Sequence, residues 1–258
     1  MALLEVHGLS VRFRGLVALD DVSLSVSRGE VVGLIGPNGA GKTTLFNAVT
    51  GLQRADSGRI LFEEQDVTAV SADRRARAGI GRTFQTPQLI NGLSAYDNIL
   101  LGCQARMGNG LFADGLRLPA SYRNEVLARR EVDEVVDFLG LGDRVHRGVG
   151  ALPLGVRRLV EIARALSLRP KLLLLDEAAS GIGSDESGRL HELFSRIRRA
   201  FDLSMLVVEH DVDFVLGLCD YVYVLDFGRM IARGTPDVVR RDAGVVAAYL
   251  GEPRAAAS

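Results

Sequence analysis

Residues 36–43 read Gly-Pro-Asn-Gly-Ala-Gly-Lys-Thr, so Gly36, Pro37, Asn38, Gly39, Ala40, Gly41, Lys42 and Thr43 satisfy the phosphate-binding pattern G-x-x-x-x-G-K-[ST]. The flanks constrain the fold as much as the loop does. Val31, Val32, Leu34 and Ile35 form a short apolar, β-branched run that reads as a buried strand. Beyond the loop and Thr44, the residues Leu45, Ala48, Val49 and Leu52 recur at i, i+3, i+4 and i+7, which predicts a helix starting at the last glycine. Strand, glycine loop and helix N-terminus make an anion site, because backbone N–H groups and the positive helix end converge on one spot. In such a loop Lys42 reaches the β- and γ-phosphates of a nucleoside triphosphate, and the Thr43 hydroxyl holds Mg²⁺.

Composition narrows the class. The 258 residues carry a formal charge of −1 and 47% hydrophobic content, which suits a soluble chain with a large core and gives no basic excess for nucleic acid. The arginine clusters Arg74, Arg75, Arg77 and Arg198, Arg199 read as solvated helix faces. Cys103 and Cys219 form no C-x-x-C motif. Cys103 shares a helical stripe with Tyr96, Ile99 and Leu100, so it is expected in the core, and two isolated thiols suit a reducing cytosol. Met1 leads almost directly into a strand pattern with no evident signal peptide, and no apolar run approaches the ~20 residues that span a bilayer. Service at a membrane therefore requires a partner.

Alternation over residues 4–13 and 22–26, with a further strand at 60–62 after the turn 56–58, predicts a β-rich N-terminal layer. The texture turns helical after residue 85. Ser94-Ala95-Tyr96-Asp97 reads as a capping box, residues 108–121 as a Gly-rich loop, and Val132, Val135, Val136 and Leu139 as a helix stopped at Gly140. Leu159, Ile162, Ala163 and Leu166 mark another helix, ending before Pro170. Strands resume at 172–175, 205–208 and 222–225, a turn at 227–229 leads to a last strand at 230–232, and 242–252 reads as a short closing helix. The strand at 172–175 delivers Asp176 and Glu177 to its C-terminal end. Phosphoryl transfer needs one acid to hold Mg²⁺ and one group to orient the attacking water, and these carboxylates fit the two roles in that order.

With both motifs in place the chain resembles the ATP-binding subunits of ABC transporters over nearly its full length. The resemblance implies a RecA-like P-loop α/β core (1–85 and 169–240) with an antiparallel β layer. It also implies an inserted helical subdomain (86–168), a closing segment (241–252) and a frayed tail (253–258). Gln85 in Gly-Arg-Thr-Phe-Gln resembles the glutamine that contacts Mg²⁺ and the attacking water. His210 in Glu-His-Asp resembles the histidine that bonds the γ-phosphate, and Phe13 the aromatic that stacks on adenine, against the alternative that Phe13 packs in the core. Residues 79–85, Val208-Glu209-His210-Asp211, the loop Gly110-Leu111-Phe112 and the ending Ala248-Tyr249-Leu250-Gly251 are similar to ATPases of branched-chain amino acid importers. Urea importers and a lipopolysaccharide-export ATPase are the neighbouring alternatives. A regulatory subunit of low turnover is another.

One stretch departs from the family pattern. The signature that precedes the third insert helix, usually Leu-Ser-Gly-Gly-Gln, is here Leu152-Pro153-Leu154-Gly155-Val156. The serine hydroxyl that would donate to the ATP bound on an opposing subunit is replaced by Pro153, which has neither side-chain donor nor backbone N–H. The Gly155 amide and the helix N-terminus remain available to an anion. Ala178 stands where a proline is usual, and Gly183 where an acid or amide is usual. The resemblance further implies membrane permeases, a second ATPase subunit, identical or different, an indirectly coupled substrate-binding protein, and a place on the cytoplasmic face of the membrane.

Overall fold

The computed structural model describes residues 1–107, 119–177 and 184–250. Most of the expected loop at 108–121, the departures at Ala178 and Gly183, and the tail at 253–258 lie outside the described residues. The chain divides into two compact units, Met1–Ala72 with Leu174–Ser258, and Asp73–Leu173.

In the first unit β1 (Ala2–Phe13) pairs antiparallel with β2 (Leu16–Ser27). β1 buries Leu4 and Val6, then Leu9 and Val11. The change of parity has a cause: the register with β2 shifts between Val6 and Leu9, and a bulge there turns the next residues back to the same face. β3 (Val31–Ile35) leaves for a second sheet, while β4 (Ser57–Phe62) and the short β5 (Gln65–Asp66) complete the first in the order β2-β1-β4-β5. Ser57 and Gly58, expected in a turn, are thus already strand.

The second sheet is built on apolar runs. β3, β7 (Leu172–Asp176) and β8 (Ser204–Val208) are buried at every position, as strands covered on both faces must be. β3 runs parallel to β8 and to β9 (Tyr221–Asp226), and β10 (Arg229–Gly234) closes the edge antiparallel to β9, giving β10-β9-β3-β8-β7 within this unit. α1 (Lys42–Thr50) follows β3. It ends one residue before the left-handed Gly51, whose N–H bonds the Ala48 carbonyl, so Leu52, expected on the helical stripe, is exposed beyond it. α6 (Ser184–Phe201) buries Leu190, Phe194 and Ile197. α7 (Val212–Leu218), α8 (Pro236–Arg241) and α9 (Ala243–Leu250) complete the unit, the last within the expected closing segment.

In the second unit α2 (Ala72–Ala78) leads to β6 (Ile80–Arg82), and α3 (Ala95–Met107), α4 (Pro119–Phe138) and α5 (Leu154–Ser167) form its helical body. Ser94 caps α3, accepting from the Asp97 N–H at 3.0 Å. Gly102 lets α3 press on α5: a Cβ there would sit 2.2 Å from the Arg164 carbonyl oxygen. Ile99 and Cys103 of α3, Val132 and Val135 of α4, and Ile162 and Leu166 of α5 fill the core, so Cys103 packs as expected.

The arginine clusters need correction. Arg75 is 2% exposed rather than solvated, because it lies on the inward side of the short α2 between Arg74 and Arg77. Arg198 is tied down too, donating from Nε to the Gly29 carbonyl at 2.8 Å and pairing with Asp220 at 2.9 Å. Arg199 stays exposed.

Candidate functional site: a phosphate loop facing a carboxylate–imidazole pair

The loop between β3 and α1 is shaped by backbone. Gly41 occupies the N-cap of α1 with φ 105°, a left-handed conformation that an L side chain rarely adopts. At Gly36 a Cβ would lie 2.0 Å from the Leu225 carbonyl oxygen. The loop is held from outside by the β9–β10 turn: the Gly228 N–H donates to Ala40 O at 2.9 Å, and Gly228 O accepts from the Asp20 N–H at 2.8 Å. The Lys42 ammonium is buried and curls back over the loop, donating to Gly36 O at 2.5 Å and Pro37 O at 2.9 Å. The first amides of α1 find no acceptor inside the helix and face outward with the positive end of its dipole.

Two carboxylates arrive on β7. Asp176 ends the strand, 3% exposed. Glu177 follows with φ 49°, its N–H held by the Val208 carbonyl at 2.8 Å. A non-glycine residue kept in the left-handed region is costly, and such residues concentrate at working sites. His210 is placed by β8 before it and α7 after it, where Asp211 caps the helix by accepting from Phe214 N–H at 3.0 Å. His210 Nε2 lies 2.6 Å from Glu177 Oε1. A carboxylate only accepts, so Nε2 carries the hydrogen of this bond.

Lys42, Glu177 and His210 share one cleft of about 400 Å³, lined by Phe13, residues 38–44, Glu177 and His210 among others. Phe13 is 44% exposed on this cleft and is not a core residue. Sequence reasoning missed Leu16, Val17 and Phe227, which line it too. Phe227 had a signal of its own, a large apolar side chain placed in a turn, and it is 86% exposed with φ 40°.

The remaining predicted residues belong to the second unit. Gln85 is exposed just after Phe84, whose ring lies under the Arg82 guanidinium at 4.9 Å, while Thr83 is buried. Leu152 is buried. Pro153 is the N-cap of α5 and supplies no side-chain hydrogen bond. Leu154, Gly155 and Val156 form the first turn, whose N–H groups have no partner within the helix.

Comparison with known proteins locates this architecture. A family model described as "ABC transporter" matches residues 19–180, and one described as "Branched-chain amino acid ATP-binding cassette transporter" matches residues 229–255. The high-affinity branched-chain amino acid transport ATP-binding protein LivG of Salmonella typhimurium is 38% identical over 250 residues, covering 97% of this chain and 98% of that protein. The lipopolysaccharide export system ATP-binding protein LptB of Escherichia coli is 36% identical over 252 residues, covering 98% of each. Among solved structures, the ADP conformation of MJ1267, an ATP-binding cassette of an ABC transporter, superposes with a TM-score of 0.81 at 33% identity, covering 98% of this chain and 100% of that one. Phosphate loop, carboxylate-bearing strand and these likenesses converge, and the chain belongs to the ABC transporter family as an ATPase cassette.

Proposed function

We propose that this chain hydrolyses Mg-ATP to drive an importer of branched-chain amino acids. The observation that carries the catalytic reading is the 2.6 Å contact between His210 and Glu177 in the same cleft as the Lys42 loop. Lys42 leaves its loop carbonyls for the β- and γ-phosphates, Phe13 stacks on adenine, and Glu177 orients the attacking water and takes its proton. His210 holds that carboxylate through Nε2–H before ATP binds and would turn the same N–H to the γ-phosphate once ATP is in place.

The first unit offers a metal hard oxygens, the Thr43 hydroxyl and the Asp176 carboxylate, which suit Mg²⁺, and the resemblance adds the side-chain oxygen of Gln85. Bound there, Mg²⁺ would neutralise charge on the phosphate oxygens. Residues 152–156 would face ATP held by a second ATPase subunit, identical or different. No helix among the described residues is long and apolar enough to cross a membrane. Attachment to the cytoplasmic face of the membrane therefore falls to permease subunits docked on the helical subdomain, with a substrate-binding protein delivering cargo to them.

Support for the cargo comes from LivG and from the family model over residues 229–255. LptB, nearly as similar, keeps an export role as the second reading. The test of catalysis is Glu177→Gln: ATP should still bind while turnover falls by about 10²-fold or more. Turnover at the parental rate would remove Glu177 from the mechanism. Transport assays with the co-expressed permeases, offering leucine, urea and lipopolysaccharide in turn, decide the cargo.

A further inference from the structure

Glu161 is a carboxylate buried on α5, 2% exposed, among the apolar residues that hold this helix in the core. Its hydrogen bonds explain how it is tolerated. Oε1 accepts from the Gln88 N–H at 2.9 Å, and the same carboxylate accepts from the Phe84 backbone. One turn further along α5, Arg164 donates from Nη1 to the Gln88 carbonyl at 2.5 Å and lies 3.8 Å from Glu161 Oε1. Both backbone polar groups of Gln88 are therefore taken by α5. The points held, 84 and 88, bracket Gln85.

Burial pushes the Glu161 pKa up, opposed by the bonds from Gln88 and Phe84 and by the Arg164 and Arg158 charges. A carboxylate that only filled space here would be costlier than an apolar residue of similar size. Here it does more, closing a short loop from both sides.

We propose that Glu161 is the positioning residue for Gln85: it clamps residues 84–88 onto α5, so that the loop bearing Gln85 and the helix whose first turn is residues 154–156 move as one body. The catalytic half of this inference rests on the role given above to Gln85; the mechanical half does not. α5 thereby carries two functional groups, one at its N-terminus and one held against its flank. A change at either would be felt at the other without any rearrangement of the helix itself.

The test uses the purified full-length chain with ATP and Mg²⁺, in the variants Glu161→Gln, Glu161→Asp, Gln85→Ala and the double variant Glu161→Gln/Gln85→Ala. Glutamine places an amide N–H₂ where a second acceptor is needed, so one flank of the loop is released. The amides of residues 84–86 and 88 should then exchange with deuterium about tenfold faster, with α1 unchanged. Turnover should fall about tenfold with KM for ATP within about twofold, and the double variant should be no worse than Gln85→Ala alone, because Glu161 acts only through Gln85. Glu161→Asp keeps the charge at a shorter reach and should recover part of the loss; it also serves if the glutamine variant folds poorly. Unchanged exchange at 84–88 overturns the clamp, and losses that multiply in the double variant overturn the positioning role. Parental turnover in Gln85→Ala would instead overturn the role of Gln85, an outcome told apart by the exchange measurement.

Discussion

Gly36 and Gly41 are positions where the phosphate loop admits no side chain, and the obstacle in each case is main chain. A Cβ at Gly36 meets the Leu225 carbonyl oxygen at 2.0 Å, and one at Gly41 meets that of Ala18 at 2.6 Å. Carbonyls set in a sheet cannot rotate away, so Gly36→Ala must move the loop itself. We expect a loss of about 1–3 kcal/mol in stability and at least about tenfold in ATP affinity, read by denaturant unfolding and by nucleotide titration. Gly39 has open space around its Cβ position and is strained only by φ 81°, so Gly39→Ala should cost less, about 1 kcal/mol. Equal losses at the two positions would mean that close approach is not what the loop requires. The two thiols offer a second check. Burial raises the pKa of Cys103, with Glu131 adding to the rise, and burial likewise raises that of Cys219. Only the thiolate reacts, and a raised pKa reduces the thiolate fraction at any given pH. At pH 8 neither should react with a disulfide reagent in the native protein, and both should react in denaturant.

At the scale of elements, α5 separates local need from need at an interface. A Cβ at Gly155 would meet nothing within the chain, and the residue lies in the first turn of a helix. Gly155→Ala should therefore raise stability by up to about 1 kcal/mol. If its backbone must approach a phosphate closely, ATP turnover should fall in the same variant. A rise in Tm with parental turnover would leave Gly155 without a role. The legibility of the elements follows the same division between local and distant causes. β3, the glycine loop and α1 are written in neighbouring residues, and so are the Ser94 cap and the stop at Gly140. The end of α1 was misplaced because Leu52 fits the helical period while Gly51 breaks the backbone that would carry it. Glu161 was not legible as a buried group, since the Gln88 and Phe84 backbone groups that make its burial tolerable are distant in sequence. The exposure of Phe13 on the cleft likewise depends on where β1 ends relative to the loop, which no periodicity records.

For the whole molecule, the two units divide the labour. One carries Lys42, Asp176, Glu177 and His210, and the other carries Gln85 and residues 152–156. In the proposed assembly residues 152–156 serve ATP on another subunit, so a defect there is felt by the partner. Pro153 caps α5 without a side-chain hydrogen bond, whereas serine at that position would both cap the helix and present a hydroxyl. Pro153→Ser should stabilise this chain by about 1 kcal/mol through the cap alone. A restored hydrogen bond to a charged phosphate is worth about 1.5–3 kcal/mol, or roughly ten- to a hundred-fold in rate at the site it serves. With this chain paired to a different ATPase whose own signature is intact, the gain should appear only at the partner's phosphate loop. Turnover there is isolated by carrying Lys42→Ala in this chain; the reciprocal knockout isolates this chain's own loop, whose rate should not move. Unchanged rates at both loops, alongside the expected rise in stability, would mean that the backbone amides of residues 154–156 already suffice and that the two sites are equivalent.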